Sequence, residues 1–155
     1  MIIRKATNND TEAIINFMMV LRKLEHKITD FVNDSQETRD FLLNDFILKR
    51  LGHKDYFFFV AEENNKIVGI IIGWKEFISP VYNNANVLYL CDAIVDPTFR
   101  GKGIGKKLVH SLESEAKKCG LNEAILEVLV KNVKSIDFWK KMNYEPVYLK
   151  MRKKI

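Results

Sequence analysis

The chain is poor in cysteine and histidine and has no long apolar run, and each shortage excludes a class of protein. Two cysteines among 155 residues, Cys91 and Cys119, cannot form the disulfide framework of a small secreted domain. The three histidines, His26, His53 and His110, stand too far apart for zinc-binding spacing. No apolar stretch reaches about 18 residues, and the first residues lack the apolar region of a signal peptide. We therefore expect a cytoplasmic protein without a metal site or a membrane span.

Composition and charge limit the possible classes of protein and of binding partner. Hydrophobic residues make up 47% of the chain and charged residues 29%, as in a globular domain, and no linker or repeat interrupts residues 1–155. The net charge of +5 suits an anionic partner, such as nucleic acid, an acidic protein surface or a nucleotide cofactor. The basic residues are scattered, however, and we recognise no nucleic-acid-reading module. We expect one domain and no nucleic-acid partner, and rank a small basic nucleic-acid-binding protein last among the alternatives.

The spacing of apolar residues predicts an alternation of strands and helices in the order βααβββαβαβ. Thr7 with Asp10 resembles a capping box, and Ile14, Met18 and Leu21 then share one helical face. Asn64-Asn65 fits the turn of a hairpin between two apolar strands. The predicted strands cover residues 2–5, 56–61, 67–74, 87–95, 124–130 and 144–151. The predicted helices follow Thr7, span 34–51, run from the glycine-rich loop to Gly120, and span 133–142, with a loop over 25–33.

A glycine-rich loop joins the fourth predicted strand to the helix after it. It reads Val95-Asp96-Pro97-Thr98-Phe99-Arg100-Gly101-Lys102-Gly103-Ile104-Gly105-Lys106. Glycine lets backbone approach a ligand closely, and the unpaired N–H groups of a helix N-terminus attract phosphate. The spacing fits neither a Walker loop nor a dinucleotide fingerprint. Taken alone, the loop is either a diphosphate site or a flexible basic turn.

The loop and residues downstream of it resemble a known family, the GCN5-related N-acetyltransferases (GNAT). The pyrophosphate loop of that family reads Arg/Gln-x-x-Gly-x-Gly/Ala. This chain has Arg100-x-x-Gly103-x-Gly105 after Val-Asp-Pro, followed by Asn132 and Phe138-Trp139. The resemblance covers nearly the whole chain. It implies a single-domain α/β GNAT fold, with a mixed central sheet of six to seven strands, helices on both faces and a splayed parallel strand pair. It also implies a homodimer.

The resemblance further implies that acetyl-CoA is the acetyl donor. Its pantetheine arm would lie along one strand and its pyrophosphate would bind in the glycine-rich loop. Arg100 would fix the position of that loop. Asn132 either contacts the cofactor or caps the helix that follows it, and Trp139 either walls the cleft or belongs to the core. The implied cofactor-binding residues are Ala93, Ile94, Val95, Arg100, Gly101, Lys102, Gly103, Ile104, Gly105, Lys106, Asn132 and Trp139.

By resemblance, the activity would be direct transfer of the acetyl group to a primary amine of a small molecule or peptide. Asp92 is the candidate to bind or deprotonate that amine, or else it makes a structural hydrogen bond. Many family members carry Glu at the position of Cys91, and a neutral thiol is a poor base. Cys91 therefore belongs to the core or, alternatively, carries the acyl group as a nucleophile.

The general acid is a second departure from the family pattern. The family commonly has Tyr where this chain has Trp139, and indole has no proton to give. Tyr144, or else Tyr89, would substitute as the acid for the departing thiolate. Because both the Glu and the Tyr are missing, a non-catalytic CoA-binding sensor is the main alternative to an enzyme. The amine side of the cleft would contain Glu25, Asp30, Phe31, Tyr82 and Asn83.

Overall fold

Five strands form one mixed sheet, in the order β1-β2-β3-β4-β5, in a computed structural model that describes residues 1–155. Strands β1 to β4 pair antiparallel, and β4 pairs with β5 in parallel. The hairpin between β2 and β3 turns through Asn64 and Asn65, whose φ angles are 50° and 60°, as the sequence predicts. The strands are β1 Ile2–Lys5, β2 Tyr56–Glu63, β3 Lys66–Phe77, β4 Asn86–Val95 and β5 Ala124–Leu126.

Five α-helical segments cover the sheet, and none is long and apolar enough to cross a membrane. The backbone N–H of Thr7 donates to Asp10 Oδ2 at 2.8 Å, which confirms the predicted helix start. The first helix continues to His26, so Glu25 is helical and does not lie in the predicted loop. The helices are α1 Thr11–His26, α2 Gln36–Phe41, which runs through a π-helical turn at Leu42–Ile47 into α3 Leu48–Arg50, α4 Ile104–Lys118 and α5 Val133–Lys141.

Each face of the sheet carries its own apolar core, because successive residues of β2 point to opposite faces. Phe58 and Val60 pack on the side of α1 and the α2–α3 helix. Phe57 and Phe59 pack on the side of α4 and α5. Both faces are therefore covered, which agrees with the near-continuous apolar sequence of the central strands.

The prediction of six to seven strands is wrong, because the sheet has five. Strand β5 ends at Leu126, four residues short of the prediction, and residues 144–151 form no strand. A strand needs a neighbour to pair with, and the ladder between β4 and β5 stops at the pair Leu90–Leu126. The C-terminal residues are held by side chains instead, for example by Lys150 Nζ, which lies 2.7 Å from Glu127 Oε1.

Strand β4 extends beyond the end of its parallel neighbour, β5. It remains paired with β3 as far as Val95, whereas its pairing with β5 ends at Leu90. The edge of β4 that faces away from β3 is therefore open from Cys91 to Val95. The family resemblance implies such a divergence of the two parallel strands. The divergence leaves the open edge of β4 in the middle of the fold, on the side of β5.

Candidate active site

A β-bulge at Cys91 sets the direction of the side chains on β4. Asp92 pairs with Ile72 and Leu90 pairs with Gly73, so Cys91 is the extra residue. Beyond the bulge the alternation reverses, and Asp92 points toward α1 whereas Leu90 packs beneath α4. A Cβ atom at Gly73 would lie 2.8 Å from the carbonyl oxygen of Tyr89, so only glycine fits opposite the bulge.

Asp92 belongs to a buried group of charges. Its side chain is 1% exposed and forms an ion pair with Arg22 of α1. Arg22 Nε lies 3.2 Å from Glu25 Oε2, one helical turn further along α1. We call Arg22, Glu25 and Asp92 the charged cluster. Three buried atoms of the cluster make no hydrogen bond: Arg22 Nε, Glu25 Oε2 and Asp92 Oδ2. The first two face each other as an ion pair, so Asp92 Oδ2 is the oxygen that has capacity for a further donor.

Burial controls the protonation of the charged cluster. Removal from water raises the pKa of Glu25, the guanidinium of Arg22 opposes this shift, and the carboxylate of Asp92 adds to it. Burial likewise raises the pKa of Asp92, again against the charge of Arg22. Burial also raises the pKa of the Cys91 thiol, and the negative charge of Asp92 reinforces that effect. A thiol kept neutral in this way is a weak nucleophile, which favours a packing role for Cys91.

The loop before α4 presents a row of unpaired backbone N–H groups. Gly101 and Gly103 have φ angles of +78° and +75°, in the left-handed region where glycine is favoured. None of the N–H groups of residues 101–106 donates to a protein acceptor, and the first to do so is Lys107, to the Gly103 carbonyl at 3.1 Å. Lys102 and Lys106 are exposed beside this row. Free donors at a helix N-terminus form a site for an anion.

The third glycine has a different role from the other two. A Cβ atom at Gly105 would lie 3.3 Å from the ring of Phe138, so this glycine lets α5 pack closely on the first turn of α4. Arg100 Nε donates to the carbonyl of Val95 at 2.9 Å and so ties the loop to the end of β4. The candidate anion site thereby lies next to the end of the open edge of β4, which includes the backbone of Ala93 and Ile94.

Three other predicted site residues have structural roles. The side chain of Asn132 accepts from the backbone N–H of Ser135 at 3.2 Å, as the N-cap of α5. Trp139 is 7% exposed and lies in the core cluster, 5.2 Å from the ring of Tyr144. The Tyr144 hydroxyl donates to Glu113 Oε1 at 2.9 Å. Burial raises the pKa of Tyr144, and the charge of Glu113 adds to this shift. The hydroxyl therefore stays protonated and donates to Glu113 of α4.

The residue that sequence reasoning missed is Arg22. Ile15 and Met18 are buried on α1, and Arg22 follows them at the spacing of the same helical face. A charged residue that continues a buried stripe requires a buried partner, and that signal could have identified it. Of the other residues expected on the amine side, Glu25 joins the charged cluster, whereas Tyr82 and Asn83 lie exposed between β3 and β4.

Comparison with known proteins assigns the family. Residues 20–144 match the model of the acetyltransferase (GNAT) family. An uncharacterized N-acetyltransferase of Methanocaldococcus jannaschii is 38% identical over 88 residues, which are 57% of this chain and only 38% of that protein. The thialysine N-epsilon-acetyltransferase of Sus scrofa is 30% identical over 150 residues, which are 90% of this chain and 81% of that protein.

A solved structure shares the fold. It is a Clostridium acetobutylicum protein described as a predicted acetyltransferase with acetyl-CoA, and it superposes with a TM-score of 0.77 at 21% sequence identity. The match covers 97% of this chain and 95% of that one. With the family match over most of the chain, the glycine-rich loop and the diverging parallel strands, this chain belongs to the GCN5-related N-acetyltransferase (GNAT) family.

Proposed function

We propose that this protein transfers an acetyl group from acetyl-CoA to a primary amine that binds at the charged cluster. The observation that carries the proposal is the buried carboxylate oxygen Asp92 Oδ2, which accepts no hydrogen bond, in a cluster where a second carboxylate, Glu25, shares the same guanidinium. Asp92 lies two residues beyond Leu90, where the pairing of β4 with β5 ends, and Glu25 is joined to it through Arg22. Two carboxylates against one guanidinium leave the cluster with an excess of negative charge, which suits an ammonium group.

The residues present fit acetyl-CoA. The free N–H groups of residues 101–106 suit the two phosphates, and Lys102 and Lys106 add positive charge beside them. The open edge of β4 from Ala93 to Val95 offers backbone donors and acceptors to the amide groups of a pantetheine arm. When bound, acetyl-CoA supplies a thioester carbonyl as the electrophile. Asn132 would add a contact from the start of α5 while it caps that helix.

Deprotonation of the amine is the step that the charged cluster must assist. Only the neutral amine is a nucleophile. For an alkyl amine with a pKa of about 10.4, forming the neutral amine from the ammonium ion at pH 7 costs about 4.6 kcal/mol. Both carboxylates pair with Arg22, and Glu25 is the better base of the two because its side chain is 21% exposed whereas that of Asp92 is 1% exposed. Burial raises the pKa of Glu25, which brings its basicity closer to working pH.

The reaction then balances without further groups. The ammonium proton passes to Glu25, the amine nitrogen bonds to the carbonyl carbon, and the carbon–sulfur bond breaks. The second proton that the nitrogen loses as the amide forms passes to the departing thiolate, which leaves as the thiol. A thiol with a pKa of about 8.5 is a fair leaving group, so a positioned acid is not essential. Tyr144 is engaged with Glu113 and Trp139 is packed in the core, so neither is assigned this proton.

Release of thiol from acetyl-CoA tests the proposal. Purified protein would be incubated with acetyl-CoA and separate pools of polyamines, amino acids, lysine peptides, α-amino peptides and aminoglycosides. We expect release above the amine-free rate with at least one pool, and no such release from Gly103→Asp. Binding of acetyl-CoA with no acetylated amine in any pool would contradict the proposal and favour a CoA-binding sensor. Salt-sensitive binding to DNA that acetyl-CoA does not displace would favour a nucleic-acid-binding protein.

A further inference from the structure

A row of aromatic side chains crosses the sheet beside Asp92. On β3, Ile72 pairs with Asp92 and Trp74 pairs with Tyr89, while Tyr56 of β2 pairs with Trp74 from the other side. Ile72 and Trp74 are two residues apart on one strand, and paired residues share a face of the sheet. Trp74 and Tyr89 therefore lie on the same face as Asp92, about 7 Å further along the strands. We call Tyr56, Trp74 and Tyr89 the aromatic row.

The aromatic row presents a neutral surface that is partly exposed. Its three side chains are only partly buried, whereas the neighbouring pair, Ile72 and Asp92, is 1% exposed. Trp74 Nε1 donates to Glu76 Oε2 at 2.6 Å, so the indole needs no further polar partner. Burial raises the pKa of Tyr89, and the charges of Glu127 and Asp92 add to this shift, so its hydroxyl stays neutral. A neutral aromatic surface thus begins next to the buried, unpaired oxygen Asp92 Oδ2.

The aromatic row is held in place by contacts among its rings and with the helices. The rings of Trp74 and Tyr89 lie 4.8 Å apart, and those of Trp74 and Tyr56 lie 5.9 Å apart. Phe46, in the π-helical turn between α2 and α3, meets the Trp74 ring edge-on at 5.8 Å. Arg50 lies over the rings of both Phe46 and Tyr56, at 5.1 Å and 5.4 Å. Side chains that are ordered before a ligand binds lose little entropy on binding, which favours affinity.

We propose that Trp74 and Tyr89 determine acceptor specificity, by binding a planar apolar group of the acceptor while its ammonium nitrogen lies at Asp92. The inference rests on the proposed acetyl transfer and narrows the acceptor to a primary amine joined to a ring by a short linker. The spacing of about 7 Å between neighbouring positions on one face suits a linker of two carbon atoms. An acceptor without an apolar group would leave the aromatic row in water and lose the contribution of that burial.

Steady-state kinetics with two acceptors test this inference. 2-Phenylethylamine and ethylamine differ by one phenyl ring, so the ratio of their kcat/KM values measures the contribution of the ring. Comparison of this ratio between variants cancels the difference in basicity between the two amines. We expect a ratio of at least about tenfold in the wild type, in favour of 2-phenylethylamine, from burial of the ring.

Substitutions in the aromatic row should lower this ratio. In Trp74→Leu and in Tyr89→Leu we expect it to fall about two- to tenfold, the contribution of one aromatic contact. Trp74→Phe keeps a ring and should retain most of the wild-type ratio. Phe77→Leu is the matched control, because Phe77 lies on the same strand, is 62% exposed and points to the other face. Each variant is compared at a temperature where it is fully folded.

Binding measured without turnover separates this inference from the proposed function. Titration calorimetry in the presence of CoA gives the Kd of each amine directly. A wild-type ratio near one, or the same ratio in the wild type, Trp74→Leu and Tyr89→Leu, with ethylamine still acetylated, would overturn the inference alone. If no amine were acetylated but binding of 2-phenylethylamine still depended on Trp74 and Tyr89, the proposed function alone would be overturned.

Discussion

Arg22 and Asp92 stand 70 residues apart in the chain and form an ion pair that joins α1 to the bulged strand β4. The carboxylate is 1% exposed, so its charge depends on that one guanidinium. A buried ion pair adds little net stability over apolar residues of the same size, but removal of one partner leaves the other charge buried and alone. We therefore expect removal of either partner to lower both the stability and the activity of the protein.

We expect Arg22→Met to destabilise the protein by about 3–5 kcal/mol, because it leaves Asp92 without a counter-charge. Urea unfolding, followed by circular dichroism, measures this loss. The double variant Arg22→Met/Asp92→Leu should recover most of the stability, since it removes both charges. Equal stability of the wild type and Arg22→Met would show that the pair is not buried as described.

Substitution of Gly103 should separate strain from ligand binding. Gly103 and Gly120 have φ angles of +75° and +80°, and a Cβ atom at either would meet no atom within 4 Å. Aspartate at either position therefore imposes similar backbone strain, on the order of 1–2 kcal/mol. Only at Gly103 would the carboxylate face the unpaired N–H groups of the loop. We expect Gly103→Asp to weaken acetyl-CoA binding at least about tenfold by titration calorimetry, from the loss of one charged contact.

The matched variant Gly120→Asp, at the far end of α4, should bind acetyl-CoA like the wild type. If both variants bound equally well, the loop would not be the phosphate site. If both lost binding to the same extent, the effect would be one of stability rather than of the site.

Tyr144→Phe distinguishes a structural hydroxyl from a catalytic one. The hydroxyl donates to Glu113 Oε1 at 2.9 Å in a half-buried position, so its removal should cost about 1–3 kcal/mol of unfolding free energy. At a temperature where the variant is fully folded, kcat for acetyl transfer should stay within about twofold of the wild type. A fall of about 10²-fold or more, the usual effect of removing a general acid, would restore the role predicted from the sequence.

Asp10 gives a prediction on acid stability. A bidentate hydrogen bond from Arg4 holds the pKa of Asp10 at about 2, against a pKa of about 3.9 in the unfolded chain. Because the pKa is lower in the folded state, the stabilisation is present above pH 4 and disappears as the pH falls toward 2. Arg4 is partly exposed, so we expect about 1–2 kcal/mol rather than the full linkage value.

Unfolding in urea between pH 2 and pH 6 checks this prediction, by comparison of the wild type with Asp10→Asn. The difference in unfolding free energy between them should shrink as the pH falls through this range. A difference that stays constant with pH would show that Asp10 does not titrate differently in the folded and unfolded states.

Much of the fold could be predicted from the spacing of apolar residues. The strand at Ile2–Lys5, the long central strands, the Asn64-Asn65 hairpin and the helix that ends before Gly120 are all local patterns. The bulge at Cys91 is not visible in the sequence, because a strand buried on both faces is apolar throughout and hides a one-residue offset. The prediction of a strand over 144–151 is wrong for a non-local reason, since β5 is too short to pair with it.

The two halves of the candidate site differ in how far the sequence predicts them. The proposed anion site depends on glycines at fixed spacing after a strand, a local pattern that the sequence alone displays. The charged cluster is formed by tertiary contacts between residues that are distant in the chain. Sequence patterns place Glu25 in a loop and do not single out Arg22, because the importance of both depends on α1 lying over Asp92.

The most direct test of the central claim is to measure N-acetylbutylamine and free CoA together, with n-butylamine as acceptor, for the wild type, Glu25→Gln and the control Glu37→Gln. We expect the two products in equal amounts from the wild type and from Glu37→Gln. In Glu25→Gln, kcat/KM should fall by about 10²-fold or more, the contribution of a positioned base. Acetyl transfer by Glu25→Gln at the wild-type rate would contradict the role of the charged cluster. Release of CoA without N-acetylbutylamine would contradict amine acetylation itself.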